Sequence, residues 1–333
     1  MREPVATDPW GQVLALTGFL RNRRQRTLRQ RVTLSGVGVH GGKPVSIAIG
    51  PADPGTGIMF LRSVSGSPDV EIPARSHAVG ATELCTVLGD PAGICVSTVE
   101  HLLAALVGTG VDNAIVEIDG AEVPVMDGSA IAFVDAIERA GLETQSVPRR
   151  FIKVRKPVHV ELGSAFAEFR PYEGARFEIA IDYECAVVGR QAIAFDLSSK
   201  SFRREVARAR TFGYMRDVER LWSSGFALGS SLENSVVIGD DGIVNPEGLR
   251  YRDEFVRHKA LDAIGDLALA GAPILGAYKS FKGGHKLNQL ALSALLADKS
   301  AWSFVSAEER TKRPEGRAEL PAGMPVPAYA PEV

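Results

Sequence analysis

His258 and Asp262 stand four residues apart, the spacing at which side chains on adjacent turns of one helix can bind a single metal ion. Lys259 and Asp266 share their helical face, whereas Val256, Ala260, Leu261, Ala263, Ile264, Leu267 and Ala268 fall on the opposite arc. Glu100 directly precedes His101, the arrangement by which a general-base carboxylate stands beside a metal ligand in the zinc hydrolases with a His–Glu pair. His285 follows two glycines at the start of a leucine-rich helical pattern, where the backbone can approach a ligand closely. Hydrolysis by an activated water is the chemistry such a set can carry. Other readings stay open at this level. An H-x-x-x-D pair also suits a solvated ion pair, or a metal-free acyltransferase with His258 as base and Asp262 as its orienter. Ser97 and Glu100 have the spacing of a capping box, which accounts for Glu100 structurally.

The elements that must position these residues follow from caps, breakers and periodicity. Asp253 has the residue type of an N-cap, Gly271 suits a left-handed C-terminal position, and Pro273 forbids continuation, so the pattern predicts one helix of about 17 residues, roughly 25 Å long. Phe255 and Leu269 lie on its chemical side, which makes that side the wall of a partly covered cleft. A second helix opens at Ser97 and runs through Leu106 to stop at Gly108 and Gly110. Gly36-Val37-Gly38-Val39-His40-Gly41 matches a dinucleotide-binding fingerprint, but Lys43-Pro44 leads into an alternating strand rather than a helix, so the glycines read as a hairpin or bulge with His40 at its edge. Strands are expected at 111–118, 151–160, 165–170 and 176–181, helices at 130–140 and 201–206, and a linker at 146–150.

Strands followed by helices, given twice, predict an α+β protein of two similar domains with antiparallel-rich sheets. The division is a flexible extension over residues 1–24, a first domain over 25–147, a second over 151–306, and a disordered proline-rich tail over 307–333. A net charge of −2 and a pI near 6.3 give no reason to expect nucleic acid as a partner. No apolar run is long enough for a membrane span, so stable insertion is excluded, while Arg21, Arg23, Arg24, Arg26, Arg29 and Arg31 allow transient contact with a membrane surface. Cys85, Cys95 and Cys185 are odd in number and widely spaced, which fits a reducing cytoplasm.

Several segments together carry a resemblance: TVEHLLAAL at 98–106, ARTFGYM at 209–215, FVRHKALDAIGDLALAG at 255–271 and GGHKLN at 283–288, with GVGVHGGKPV and PVMDGSA. The chain resembles the zinc-dependent UDP-3-O-acyl-N-acetylglucosamine deacetylases of lipid A biosynthesis over about residues 25–303. The resemblance implies two α/β sandwiches with the active site between them, and one Zn2+ per chain on His101, His258 and Asp262. It also implies Glu100 as general base, His285 as second catalytic group and Asp266 as the carboxylate that orients it. Hydrolysing an amide needs a polarised carbonyl, an activated water and a protonated leaving nitrogen; zinc supplies the first and lowers the pKa of water towards about 7. Cationic His285 and the Thr211 hydroxyl would face the oxyanion. Lys259 and Lys282 are local cations for the diphosphate of a UDP-sugar, Phe212 and Tyr183 offer faces to sugar or uracil, and residues 215–237, with Met215, Val218 and Ala227, match the family's acyl-chain passage. A monomer is expected. The alternatives are the metal-free acyltransferase and a non-catalytic lipid or nucleotide carrier.

Overall fold

The computed structural model describes residues 24–306 except 65 and 67. The expected leader, apart from Arg24, and the tail from 307 lie outside the described residues. Six helices matter here: α1 (Glu100–Thr109), α2 (Ile131–Ala140), α3 (Ser199–Glu205), α4 (Val218–Ser223), α5 (Glu254–Ala268) and α6 (His285–Ala297).

Two sheets carry the fold, and they share one topology. The first has the spatial order Val32–Val37, Pro44–Gly50, Ala114–Ile118, Ile58–Arg62, Val70–Pro73. Its outer pairs are antiparallel hairpins; Ala114–Ile118 runs antiparallel to Pro44–Gly50 and parallel to Ile58–Arg62. The second repeats the order and the senses with Val158–Leu162, Ala165–Arg170, Ile274–Phe281, Ala175–Asp182 and Arg190–Asp196. Arg150–Val154 and Trp302–Ser306 extend this sheet to seven strands. Period-two burial selects the inner faces: Val45, Ile47 and Ile49 in one sheet, Ala175, Phe177, Ile179 and Ile181 in the other. The α+β class expected from the sequence is the one observed.

In each half the crossover that completes the parallel strand pair ends in a buried helix, α1 before Ala114–Ile118 and α5 before Ile274–Phe281. These two topologically equivalent helices pack on each other at the centre of the molecule. Their approach is so close that a Cβ on Gly265 of α5 would lie 1.9 Å from the carbonyl oxygen of Glu100 in α1. A glycine inside a helix costs about 1 kcal/mol relative to alanine, and here it makes the helix contact possible. One hydrophobic core runs through both halves, with Phe60, Leu102 and Phe133 in the same cluster as Phe169, Phe177, Phe255 and Ile264.

Local expectations fail where a side chain has a stronger partner elsewhere. Ser97 and Glu100 form no capping box: Thr98 turns the chain with φ +57°, Ser97 Oγ donates to the Ala121 carbonyl, and the Glu100 carboxylate accepts from the Thr86 amide. Asp253 holds the N-cap position of α5 but makes no side-chain cap, because its carboxylate takes the Arg257 Nε at 2.6 Å. The helix ends at Ala268, and Gly271 (φ +77°) closes the following turn. The expected linker at 146–150 belongs to strands, since Leu142–Pro148 pairs antiparallel with Arg24–Leu28 and Arg150 opens Arg150–Val154. The glycine-rich stretch around His40 is a hairpin loop, as expected.

Candidate active site

The first turn of α1 and the second and third turns of α5 meet where the two halves pack. His101 projects from α1, and His258 and Asp262 from α5, so that one ligand atom from each lies within 4.8 Å of the others. Asp262 Oδ1 is 3.5 Å from His101 Nε2 and 3.3 Å from His258 Nε2. All three side chains are buried, and Oδ1 has no hydrogen-bond partner. A buried carboxylate oxygen without a partner is costly, and two imidazole nitrogens converging on it make the void suited to a cation. His258 Nδ1 sits 3.2 Å from the Ala209 carbonyl, which fixes that nitrogen as the protonated one and leaves Nε2 with its lone pair. Burial, only partly offset by Asp262, pulls His258 down to about 3, so the ring is neutral at physiological pH. Although burial opposes it, the neighbouring His258 ring and the Lys259 ammonium hold Asp262 well below the usual carboxylate range. The donor set therefore fits a metal ion: two imidazole nitrogens and one carboxylate.

A second cluster adjoins this one. Glu100 Oε1 is 3.8 Å from His285 Nε2, and His285 Nδ1 is 2.9 Å from Asp266 Oδ2. Asp266 is held from three sides, because Asn288 Nδ2 donates to Oδ2 at 2.7 Å and Thr86 Oγ1 donates to Oδ1 at 2.6 Å. Asn288 in turn accepts from the Tyr278 hydroxyl at 2.7 Å. Burial lowers the affinity of His285 for its proton, but Asp266 and Glu100 together outweigh that and raise it to about 10. Glu100 is raised by burial, with His285 and His101 opposing. The cluster thus places a carboxylate with increased basicity opposite a histidine held cationic.

Both clusters open into a cavity of about 560 Å3. Thr211, Phe212, Tyr183, Lys259, Met215, Val218 and Ala227 line it along with Glu100, His101, His258, Asp262 and His285. Phe212 packs edge-on against Phe255 and His258, so its ring forms part of the wall beside the metal-capable group. Lys259 Nζ donates to Asp262 Oδ2 at 2.9 Å and lies over the Phe212 ring. Lys282 is not on the wall; its amine pairs with Asp182 at 3.2 Å. Asp266 also stands behind the wall, in contact with His285. The arm formed by residues 215–237 is tied to the His40 loop by backbone bonds from Leu228 to His40 and from Gly229 to Val39.

Sequence reasoning missed Thr86, Asn288 and Tyr278. Asn288 was within reach, being three residues after His285 and so on the same helical face. Thr86, just before the short strand Val87–Gly89, and Tyr278, in the strand Ile274–Phe281, carry no pattern of their own, and only the fold brings them to Asp266. Glu122 was missed as well: its carboxylate accepts from the backbone amides of His40 and Gly41 and from the Thr98 hydroxyl, fixing the loop and the turn that flank the site.

A doubled α+β fold with a metal-capable triad and an acid–base pair in the seam between its halves defines a metal-dependent hydrolase. The family model described as UDP-3-O-acyl N-acetylglycosamine deacetylase matches residues 25–297, and the chain belongs to that family. Proteins named UDP-3-O-acyl-N-acetylglucosamine deacetylase from Brucella ovis and Brucella canis are each 53% identical to it over 287 residues, covering 86% of this chain and 100% of theirs. The protein of that name from Brucella melitensis is 52% identical over the same span.

Proposed function

We propose that this chain hydrolyses the acetamide of a UDP-3-O-acyl-N-acetylglucosamine, with one zinc ion on His101, His258 and Asp262, to release acetate and the free amine used in lipid A biosynthesis. The unpartnered, buried Asp262 Oδ1 facing two imidazole nitrogens is the observation that carries the metal. Zinc held there polarises the amide carbonyl and lowers the pKa of water towards about 7. Glu100 takes the proton of the attacking water, and its burial makes it a stronger base than an exposed glutamate. His285 enters the reaction protonated, donates to the developing oxyanion, and supplies the proton that the leaving nitrogen needs. Asp266 keeps His285 charged and oriented through the Nδ1 contact. The Thr211 hydroxyl adds a neutral donor on the same wall.

For the substrate, Met215, Val218 and Ala227 form the apolar arm that takes the acyl chain, and Phe212 and Tyr183 give flat faces to sugar and uracil. Lys259 serves the charge balance at Asp262 as well as the anionic substrate. Lys282, outside the wall beside His285, meets the diphosphate where the ligand leaves the cavity. The two halves act as domains over 25–147 and 151–306, in a monomer that works in the cytoplasm and touches the membrane surface transiently.

Acetate release from UDP-3-O-(3-hydroxyacyl)-N-acetylglucosamine, measured before and after removal of metal by a chelator and again after zinc is restored, tests the reading. Loss and recovery of release are expected. Undiminished release by protein shown to be metal-free would overturn it.

A further inference from the structure

A second cavity, of about 220 Å3, lies in the same seam between the halves but at the far end of the paired helices. Val107 of α1 and Ala268 of α5 line it, and ten residues of helix separate Ala268 from His258, about 15 Å along the axis. Three arginines reach this cavity: Arg75, Arg149 and Arg150. Asp112 is the one carboxylate among its lining residues, and both of its oxygens are taken, Oδ1 by Arg149 Nε at 2.6 Å and Oδ2 by the Arg26 amide at 2.9 Å. The guanidinium of Arg75 has no counter-charge and no hydrogen-bond acceptor among the described residues. Burial accordingly lowers its proton affinity with nothing to offset the effect.

The chain makes room for that unpaired cation. A Cβ on Gly271 would lie 1.2 Å from an Arg75 terminal nitrogen, and one on Gly57 would lie 3.0 Å from the other. The terminal nitrogens of Arg75 thus lie close against glycines from both halves, and the residue lines the cavity. The C-terminal ends of α1 and α5 favour cations nearby through their dipoles, but that weak field does not replace a hydrogen-bonding partner. Guanidinium groups arriving from separate directions match an oxyanion with several oxygens better than a single carboxylate.

We propose that this end of the seam is a binding site for a phosphate-type oxyanion, held by Arg75 and Arg150 with Arg149 behind them. The anion bridges the two halves on the side opposite the candidate active site, so its binding stabilises the closed seam.

Thermal unfolding of the full chain in rising inorganic phosphate, at constant ionic strength set with chloride, tests this. Phosphate is expected to raise the unfolding midpoint where chloride does not, and Arg75→Gln to weaken the apparent phosphate affinity tenfold or more while zinc content and acetate release without phosphate stay unchanged. Arg150→Gln, altered at an exposed side chain, gives a smaller loss in the same direction and serves if Arg75→Gln folds poorly. A parallel titration with UDP separates the sources: a site for free phosphate loses its phosphate response in the variants, and a site for nucleotide phosphates loses that part of the UDP response. Parent protein that responds to phosphate no more than to chloride, or variants that respond to phosphate and to UDP as the parent does, would overturn the proposal.

Discussion

At the scale of single residues, the two histidine–carboxylate groupings in the seam differ in charge state, and the difference can be measured. His258 is neutral and ready to bind a metal, whereas His285 is cationic. His101→Ala, His258→Ala and Asp262→Ala should each lower the zinc content of purified protein, as read by elemental analysis. Glu100→Ala should keep its zinc and lose about 10²–10⁴-fold in turnover, the usual worth of a general base. The pH profile follows from the same assignments. Turnover should rise as Glu100, whose pKa burial has raised, loses its proton, and should fall as His285 loses its own on the way to about 10. Asp266 is the strongest of the charges that raise His285, so Asp266→Asn should move the alkaline limb to lower pH with zinc content unchanged. A limb that stays in place in that variant, with chemistry rate-limiting, would remove Asp266 from its role.

At the scale of elements, the seam depends on how closely α1 and α5 approach. Gly265→Ala inserts a methyl group where 1.9 Å separates the Cβ position from the Glu100 carbonyl, so the helices must part. Overpacking of this kind costs about 1–3 kcal/mol, and because Glu100 and His101 ride on the helix that is pushed, metal affinity should fall with stability. Urea unfolding and zinc titration read the two effects. The arm over residues 215–237 should act on substrate length alone: each buried methylene is worth about 0.8 kcal/mol, so Val218→Trp should shorten the preferred acyl chain while short-chain hydrolysis and zinc content persist. Equal loss on short and long chains would place the acyl chain elsewhere. These elements were unequally legible in the sequence. The chemical face of α5 was readable because helical periodicity separates His258, Asp262 and Asp266 from the leucines whatever the surroundings. The caps were not, because Ser97 and Asp253 are equally good partners for groups that only the folded chain brings near. For the same reason Asn288, in plain view one turn after His285, gained its meaning only from Asp266 nineteen residues before His285.

At the scale of the whole molecule, polar contacts across the seam complement the shared core. Arg250 of the second half pairs with Asp127 of the first at 2.7 Å. Burial works against the charged form of Asp127, but hydrogen bonds from Arg250 and Ser129 and the charge of Arg250 outweigh it and leave its pKa below the usual value. The sign is therefore that of a depressed carboxylate: the contact stabilises fully above the unfolded value of about 3.9, and that contribution is lost as pH falls through the lower folded value. Arg250→Gln should flatten the dependence of the urea midpoint on pH in that acid window. Deeper in, Arg210 and Glu254 are fully buried and paired at 3.0 Å. Arg210→Met would strand the Glu254 charge, at a cost of about 3–5 kcal/mol in unfolding free energy.

The repeated strand order has one more consequence. His101 belongs to the first copy of the topology, and His258 and Asp262 belong to the second, on the equivalent helix. Neither copy carries all three members of the metal-capable group. A metal ion on these three side chains would therefore act as a coincidence detector, retained at full strength only after both copies have folded and docked. Its arrival would report the completion of assembly rather than start it, and its release on gentle unfolding would mark the first parting of the two copies before either has lost its sheet.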